Sequence, residues 1–437
     1  MKRDIAILGG GVAALGAAYN LAKNNISPTI IERGIEFGGL ASSYKIGGFC
    51  IERFYHHFFP TDTLVFELAK ELGIQEKIVW RKTKMGFYYK DKLYPFTTPI
   101  DLLRFEPLLL KNRIRFGLGM LRIATKNDFG NLDNKNAREW LIETFGDEVY
   151  EKIFRPMLGI KFAMSLNDAS AAFVHGRLAA RASSRSKNLS SEKLGYMEGG
   201  YDLLVGKMYD FIKDGSEIFL NSQILQVEYR KNYCKIKIER GKKFEIIQAR
   251  EVINTLPLEI FARIAKNFPK KIMGAIGNVK YQAIICAVIG IKKKLSDYYW
   301  INISSSNLPF HGVIEHTNFM PSSNYENNHI AYIFNYVTCE HEFWKMEDEE
   351  IKGVYLEGLM KMFPQIKKSD ILWFRLSKER YATPIFLKGY ENNMKKIESL
   401  GNVHFAGSFR IYPNSRNVNN VIKTGIDAAR EVIYNKT

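Results

Sequence analysis

The sequence has few cysteines, and no two of them are spaced as a metal-binding or redox pair. Only four occur in 437 residues, at Cys50, Cys234, Cys286 and Cys339, and they form no C-x-x-C motif. This scarcity argues against a disulfide framework, a cysteine-based zinc site and a thioredoxin-type redox pair. His, Asp and Glu residues show no ligand spacing either, so the sequence predicts no metal site.

Long apolar runs are missing as well. The most apolar stretch, residues 283–291, is much shorter than the roughly 18 residues that a membrane-spanning helix needs, so it predicts a buried strand. The chain begins Met1-Lys2-Arg3 and then turns apolar, but Asp4 and a glycine triplet argue against a signal peptide. We therefore expect a cytoplasmic protein.

Acidic residues are outnumbered by basic ones. The sequence has 63 Lys and Arg against 46 Asp and Glu, which gives a net charge of +17. Such an excess favours an anionic partner, although an AT-rich genome also produces chains rich in Lys, Asn and Ile. Because no nucleic-acid-binding motif is present, we expect no nucleic acid partner and a small-molecule substrate that is itself anionic. The sequence leaves the oligomeric state open.

The glycine pattern near the N-terminus predicts a dinucleotide site. Two short β-branched runs flank a helical pattern within the first 32 residues. Gly9-x-Gly11-x-x-Ala14 joins the first run to the helix, which lets the backbone and the helix N-terminus approach a pyrophosphate. Glu32 ends the second run, where a carboxylate can accept hydrogen bonds from the ribose hydroxyls of adenosine.

A glycine doublet follows the second run. Gly38 and Gly39 suit a second close approach of the backbone to a longer dinucleotide, and Ser42 or Ser43 offers a hydroxyl donor. This pattern favours FAD over a nicotinamide cofactor. A second G-x-G-x-x-G motif is missing, since residues 117–119 lack the third glycine and a preceding strand, so no tightly docked NAD(P)H site is indicated.

Three stretches at the two ends of the chain carry a family resemblance. They read ILGGGVAALGAAYNLA, IIERGIEFGGLASS and NVHFAGSFRIYPNSRNVNNVIKTGIDAA. Together they resemble the superfamily of flavin-containing amine oxidases, protoporphyrinogen oxidases and phytoene desaturases, which also includes UDP-galactopyranose mutases. The resemblance implies an FAD-dependent enzyme. The chain departs from the family at Glu36, where relatives usually carry arginine, and at Ala14, which replaces the third glycine.

The last stretch is similar to the closing flavin motif of that superfamily. The similarity implies that Gly407 approaches the pyrophosphate and that the helix N-terminus at residues 417–420 points at the flavin. Ile224 matches a strand whose backbone contacts adenine, although an ordinary core residue would look the same. The residues expected to bind FAD are Gly9, Gly11, Val12, Ala13, Ala14, Glu32, Arg33, Gly38, Gly39, Leu40, Ala41, Ser42, Ile224, Gly407, Asn417, Val418 and Asn419.

The alternation of strands and helices at both ends, with a mixed middle, predicts an α/β fold of two interleaved domains. We expect a Rossmann-like FAD-binding domain formed by residues 1–75, 196–270 and 390–437. Residues 76–195 and 271–389 are expected to form a mixed α/β substrate domain over the flavin.

His56 and His57 are the candidate catalytic residues. They follow the glycine doublet by about the length of a strand, and UDP-galactopyranose mutases carry a histidine near the flavin in a similar stretch. His56 matches that position best. A histidine there would hydrogen-bond the flavin or relay a proton, because its pKa lies near neutral. The alternative is a buried structural pair of histidines.

Arg177, Arg181 and Arg185 recur every four residues, which places three guanidinium groups on one helical face. They would either clamp a diphosphate or carboxylate, since arginine binds both in a bidentate manner, or form a solvent-exposed basic face. Tyr381 and Tyr412 are further candidates for lining the substrate cavity.

Residues 108–125 combine leucines with four basic residues in a helical pattern. This helix would pack in the core of the substrate domain or lie on an anionic membrane, so peripheral membrane contact stays open. Covalent attachment of the flavin, for example at Cys50, stays open too.

The sequence leaves three functions to choose between. The first is an FAD-dependent oxidoreductase that removes two electrons from a small organic substrate. The second is a flavin-dependent sugar-nucleotide mutase of the UDP-galactopyranose mutase type, without net redox change. The third is a non-catalytic flavoprotein.

Overall fold

The computed structural model describes residues 1–125, 132–162, 168–185, 191–304, 307–397 and 400–434. Its strands are, in chain order, β1 (Lys2–Leu8), β2 (Thr29–Ile31), β3 (Ser43–Ile46), β4 (Phe49–Glu52), β5 (Ile78–Thr83), β6 (Met85–Tyr89), β7 (Lys92–Pro95), β8 (Glu192–Met197), β9 (Glu217–Phe219), β10 (Ser222–Arg230), β11 (Tyr233–Arg240), β12 (Lys243–Asn254), β13 (Ala265–Lys266), β14 (Lys280–Ile291), β15 (Trp300–Ser304), β16 (Gly312–Glu315), β17 (His329–Val337), β18 (Ile371–Ile385) and β19 (Val403–Phe405).

Its helices are α1 (Val12–Lys23), α2 (Thr63–Glu71), α3 (Pro99–Leu103), α4 (Leu110–Thr125), α5 (Ala137–Phe145), α6 (Asp147–Val149), α7 (Arg155–Phe162), α8 (Ala171–Ser183), α9 (Tyr201–Ile212), α10 (Leu258–Ile264), α11 (Lys270–Gly277), α12 (Glu342–Lys345), α13 (Asp348–Met362), α14 (Tyr390–Lys395) and α15 (Val418–Tyr434).

The first sheet has a parallel centre. Its strand order is β13-β10-β11-β12-β1-β2-β9, and β19 also pairs with β12. Strand β1 runs parallel to β2 and β12, and β2 runs parallel to β9. Residues 5–8 of β1 are fully apolar and buried, as both faces of a parallel sheet are covered. The carboxyl ends of β1 and β2 therefore meet at one edge, where α/β sheets bind nucleotides.

The second sheet is mostly antiparallel, with the order β18-β14-β17-β16-β15-β6-β7. Every residue of the stretch 283–291 is buried inside β14, which confirms the predicted buried strand. A separate apolar core lies between this sheet and α13. Two smaller pairs, β3 with β4 and β5 with β8, complete the strands of the described residues.

The predicted α/β class is confirmed, with parallel and antiparallel sheets in one chain. All strands of the first sheet lie within residues 1–75, 196–270 and 390–437, and all strands of the second lie within residues 76–195 and 271–389. The strands of each sheet are thus drawn from separated stretches of sequence, so neither sheet forms before distant parts of the chain meet.

Two helices end close to features that the sequence shows. Helix α5 ends before Gly146, whose φ of 90° breaks the helix. The predicted helical face of arginines corresponds to α8, which carries Arg177 and Arg181. Within the described ranges, no helix has both the length and the apolar character needed to cross a bilayer.

The first and last helices, α1 and α15, approach each other at backbone distance. A Cβ atom on Gly425 would lie 1.9 Å from the carbonyl oxygen of Ala13, and one on Gly16 would lie 2.5 Å from that of Ile422. Only glycine permits this approach. As a result, the N-termini of the two helices lie against the same space.

Replacing Gly425 by Ala tests this contact. The added Cβ would force α1 and α15 apart, so we expect the free energy of unfolding, measured with urea, to fall by about 3 kcal/mol. The matched control is Gly206→Ala in α9, where an added Cβ meets no atom within 4 Å. There we expect a gain of up to about 1 kcal/mol from helix propensity. Equal effects of the two substitutions would contradict the interpretation.

His404 of β19 makes folding stability depend on pH. Burial by itself lowers the pKa of His404, but its hydrogen bonds to Glu251 and Glu431, of 2.9 and 3.1 Å, outweigh burial and raise it to about 9. The resulting stabilisation is complete below the ordinary pKa of about 6.5 and is lost as pH rises through 9. We expect unfolding free energy to fall by about 2–3 kcal/mol between pH 6 and 10, a fall that His404→Gln lacks. The same slope in both proteins would contradict this account.

Candidate active site

A cavity of about 790 Å³ is lined by both sheets and by both ends of the chain. At one end it meets the glycine turn after β1, the end of β2 and the start of α15. At the other end it meets α4, α7 and α8. Side chains of β15, β17 and β18 reach it from the second sheet. The cavity therefore joins the predicted cofactor motifs to the predicted substrate domain.

The glycine turn opens directly onto this cavity. Gly9 has a φ of 101°, and a Cβ there would lie 2.8 Å from Oγ1 of Thr255. Gly11 occupies the N-cap position of α1 without a side-chain cap, and a Cβ there would meet no protein atom within 4 Å. The first N–H groups of α1 therefore lack side-chain partners and are free to bind an anion.

Glu32 is held at the rim of the turn by two backbone donors. The N–H groups of Gly10 and Gly34 each donate to one of its carboxylate oxygens, both at 2.6 Å. Each oxygen keeps a further lone pair. The carboxylate is therefore fixed in orientation and still able to accept hydrogen bonds from a ribose.

The glycine doublet lies directly against the first glycine turn. The N–H of Gly38 donates to the carbonyl of Gly10 at 2.9 Å, and a Cβ on Gly39 would lie 3.3 Å from Cα of Gly11. Gly38 and Gly39 have φ values of 119° and 57°, in the region that favours glycine. The two motifs thus form one continuous backbone surface.

The closing motif completes this surface from the other end of the chain. Gly407, with a φ of 133°, donates its N–H to Oγ1 of Thr424 at 2.8 Å. Asn417 accepts the N–H of Asn420 at 2.8 Å, which caps the start of α15. Its amide also donates to Asp62 at 2.7 Å. Burial raises the pKa of Asp62 to about 6, although Asn417 and a backbone N–H oppose the rise.

Both candidate histidines line the middle of the cavity. Burial and the nearby charge of Arg416 lower the pKa of His56 to about 4, so its imidazole is neutral at physiological pH. Nδ1 of His56 is buried and has no hydrogen-bond partner among the described residues. His57 instead shares a hydrogen bond of 3.2 Å with the hydroxyl of Tyr299. His56 is therefore the one of the two with an orphaned polar atom.

The three arginines of the predicted row all line the cavity, but they differ in their partners. Arg181 forms an ion pair of 2.8 Å with the buried Glu192, whose other contacts include Thr83. Arg185 follows the end of α8. Burial lowers the pKa of Arg185, and the negative charge of Glu192 opposes this fall. Arg177 has no ion pair with a carboxylate among the described residues, and burial lowers its pKa. The predicted solvent-exposed basic face is therefore wrong.

Arg416 is a further cationic group that the periodicity did not single out. It lies within the closing motif, directly before Asn417, lines the cavity and has no carboxylate partner among the described residues. Its charge acts on both His56 and Arg177. Tyr55 and Tyr336, joined by a hydrogen bond of 3.1 Å, lie in the same cluster. The signal that could have indicated Arg416 is its position next to Asn417.

Of the two candidate tyrosines, Tyr381 lines the cavity and Tyr412 does not. Tyr381 lines the cavity and packs against Tyr281 with ring centroids 5.5 Å apart. Tyr412 does not line it, because its hydroxyl is hydrogen-bonded to Asp133 and, at 2.6 Å, to Ser170. The prediction that Tyr412 lines the cavity is therefore wrong.

The end of the cavity away from the glycine turn is apolar. This wall consists of Phe96, Leu102 and side chains of α4, α7 and α8. The helices contribute Phe116, Leu118, Met120, Leu121, Met157, Leu158, Val174 and Leu178. The arginines of α8 border the same wall. The cavity thus combines an apolar end with a cationic centre.

The match to known proteins agrees with this architecture. A family model described as "Flavin containing amine oxidoreductase" matches residues 15–433. The chain belongs to this family. The family is described as flavin-containing, which confirms FAD as the expected cofactor, and the chain has the predicted α/β fold.

Individual relatives are similar over parts of the chain. Coproporphyrinogen III oxidase of Staphylococcus aureus is 29% identical over 171 residues, 36% of each chain. 15-cis-Phytoene desaturase of Synechococcus elongatus is 23% identical over 279 residues, 58% of each. The aligned regions therefore cover from about a third to under two thirds of these relatives.

Two solved structures share the fold over nearly the whole chain. Putrescine oxidase with bound putrescine has a TM-score of 0.77 at 18% identity, with 99% of both chains covered. Reduced UDP-galactopyranose mutase also has a TM-score of 0.77, at 15% identity, covering 99% of this chain and 96% of that one.

The residues at the cofactor end fit FAD. Two helix N-termini and two glycine surfaces suit the pyrophosphate, Glu32 suits the ribose, and the orphaned Nδ1 of His56 leaves a polar atom for a ligand. The predicted residues that line the cavity are Gly9, Gly11, Val12, Ala13, Glu32, Arg33, Gly38, Gly39, Leu40, Ala41, Ile224, Gly407, Asn417 and Val418. FAD, when bound, supplies the two-electron acceptor.

Three predicted cofactor residues do not line the cavity. Ala14 is fully buried in the packing of α1, as the third position of the motif requires. Ser42 is buried and does not reach the cavity, and the side chain of Asn419 accepts the N–H of Val65 at 3.0 Å. Ala14, Ser42 and Asn419 therefore support the residues that line the cavity without lining it themselves. Cys50 also lies away from the cavity lining.

Gly11→Ala tests the position of the pyrophosphate. The new Cβ would enter the cavity without touching the protein, so we expect unchanged thermal stability of the apoprotein. We expect FAD affinity, measured by fluorescence titration, to fall about tenfold or more, because the backbone can no longer approach the phosphates. Unchanged affinity would place the pyrophosphate elsewhere. Gly206→Ala, remote from the cavity, is the matched control.

Proposed function

We propose that the protein oxidises a small amphipathic organic substrate that carries an anionic group. The substrate would lose two electrons and two protons; FAD, when bound, would supply the two-electron acceptor, with dioxygen or another oxidant as the final acceptor. Arg177 and Arg416 would hold the anionic group, and the apolar wall would hold the rest of the substrate.

The observation that carries this proposal is the pair of unpaired arginines. Arg177 is half-buried, and neither it nor Arg416 has a carboxylate partner among the described residues. Two neighbouring cations in a confined space repel each other, and an anion between them relieves this repulsion and forms charge-assisted hydrogen bonds. By contrast, Glu192 already neutralises Arg181.

The cavity wall supports a substrate with a sizeable apolar part. The lining beyond the arginines consists of Phe, Leu, Met and Val side chains, which would bury apolar surface favourably. Relatives named as coproporphyrinogen oxidase and phytoene desaturase support oxidation of an organic substrate as the reaction.

His56 is the proposed proton acceptor. Its imidazole is neutral because burial and Arg416 lower its pKa to about 4, and Nδ1 has a free lone pair or proton according to the tautomer. As a neutral base lining the cavity, it would accept the proton that leaves the substrate. The hydrogen-bonded hydroxyls of Tyr55 and Tyr336 are placed to orient the same substrate.

Anion selectivity can be measured without knowing the substrate. We expect benzoate to perturb the bound flavin spectrum at concentrations about tenfold lower than isosteric benzamide, and benzylamine to bind most weakly, because only benzoate pairs with the arginines. Arg177→Met with Arg416→Met should abolish the preference and leave FAD content unchanged. Arg250→Met, at an exposed position of β12, is the matched control. Tightest binding by benzylamine would overturn the anionic substrate.

The same arginines also suit the diphosphate of a sugar nucleotide, which keeps a flavin-dependent mutase as the second candidate. The apolar wall favours the oxidoreductase. The reduced protein should therefore leave UDP-galactopyranose unchanged. Conversion by the reduced protein, with no consumption of an electron acceptor, would establish the mutase instead.

A further inference from the structure

Apolar side chains are concentrated on the outer face of α3 and α4. We define the α3–α4 surface as Ile100, Leu103, Leu109, Leu110, Ile114, Leu118 and Leu121. These are seven of the 14 large hydrophobic side chains that are exposed among the described residues, and they fall within residues 100–121. Their exposed fractions run from 47% to 63%. Single exposed leucines are common, but a contiguous group of this kind marks an interaction surface.

The packing of α4 fixes which face is exposed. Leu110, Ile114, Leu118 and Leu121 recur at helical spacing and share one side of the helix. The opposite side is packed, because a Cβ on Gly119 would lie only 2.5 Å from the ring of Phe145. The helix therefore cannot rotate to bury its outer leucines, and no part of the chain within the described residues covers them.

The charged side chains around the surface that lack an ion-pair partner among the described residues are positive, since Glu148, which accepts the N–H of Leu109, is paired with Lys152. Arg104, Lys111 and Arg122 are exposed and have no carboxylate partner in the described part of the chain. The two acids between residues 99 and 125 are already engaged: Asp101 caps α3 at Thr98, and Glu106 pairs with Lys92. Arg115 donates to carbonyls at the end of α5. The partner is therefore expected to be anionic as well as apolar.

The cavity opens within this surface. Leu118 and Leu121 are about 63% and 51% exposed, and both also line the cavity, as does Leu102. A partner that covers the surface thus also meets the mouth of the cavity. A lipid bilayer with anionic headgroups satisfies both requirements, since it offers an apolar interior bordered by negative charge.

We propose that the α3–α4 surface docks onto an anionic membrane, with its leucines in the acyl boundary and Arg104, Lys111 and Arg122 at the headgroups. The cavity then opens toward the bilayer, so a lipophilic compound can enter it without crossing water. This membrane docking does not depend on the identity of the substrate.

Vesicle co-sedimentation of the FAD-loaded protein tests the proposal. We expect binding to phosphatidylcholine vesicles that contain phosphatidylglycerol, weaker binding to phosphatidylcholine alone, and release by salt. Leu110→Ser with Ile114→Ser, which lie outside the cavity lining, should lower the partition coefficient about tenfold or more. Lys111→Gln with Arg122→Gln should lower it about tenfold on anionic vesicles.

Matched variants elsewhere separate docking from general hydrophobicity and charge. Phe244→Ser with Ile246→Ser removes two equally exposed apolar side chains from β12, and Lys242→Gln with Lys243→Gln removes two exposed charges. We expect both pairs to bind vesicles as the unchanged protein does, and all variants to keep their flavin spectrum.

Three results would overturn the proposal. The unchanged protein could remain in the supernatant with anionic vesicles at low salt, or the β12 variants could lose binding as strongly as the α4 variants. The third is a dimer in solution that Leu110→Ser with Ile114→Ser converts to a monomer, with no vesicle binding by the unchanged protein; the surface would then join two copies of this chain.

Discussion

The close contact between α1 and α15 is the constraint on which the cofactor site depends. Glycines at positions 16 and 425 let the two helices meet at backbone distance, although they lie at opposite ends of the chain. The contact places the turn after β1 and the closing motif on one surface, with both helix N-termini directed at one cavity. Neither end forms the site alone, so binding of the dinucleotide is coupled to correct assembly of the first sheet.

Charge is distributed unevenly along the cavity. At the cofactor end, one carboxylate is oriented by backbone donors and the phosphate surface is made of neutral N–H groups. In the centre, Glu192 neutralises Arg181, while Arg177 and Arg416 keep their charge without a carboxylate partner among the described residues. This separation explains how a single cavity can bind both a cofactor and an anionic substrate at different places.

The apolar end of the cavity and the α3–α4 surface are two faces of the same helix. The inner face of α4 packs on α5, and side chains of α4 beside that face form part of the cavity wall. Its outer face is left exposed together with cations that have no carboxylate partner within the described ranges. One amphipathic helix therefore contributes both to the substrate-binding region and to a surface that suits a membrane. Access to the cavity is thereby linked to the side of the protein that would face the membrane.

The sequence by itself determined the family, the cofactor and the α/β class, because glycine turns, buried strands and the acid at Glu32 depend on local backbone requirements. It also indicated most residues of the cofactor end. Only the tertiary structure decided which arginines are free, since Arg416 reaches α8 from a distant part of the chain and Glu192, although close in sequence, pairs with Arg181 only in the folded chain. The tertiary structure also decided that Tyr412 and Asn419 support the fold and do not line the cavity. Their hydrogen-bond partners are brought together by folding and leave no local pattern in the sequence.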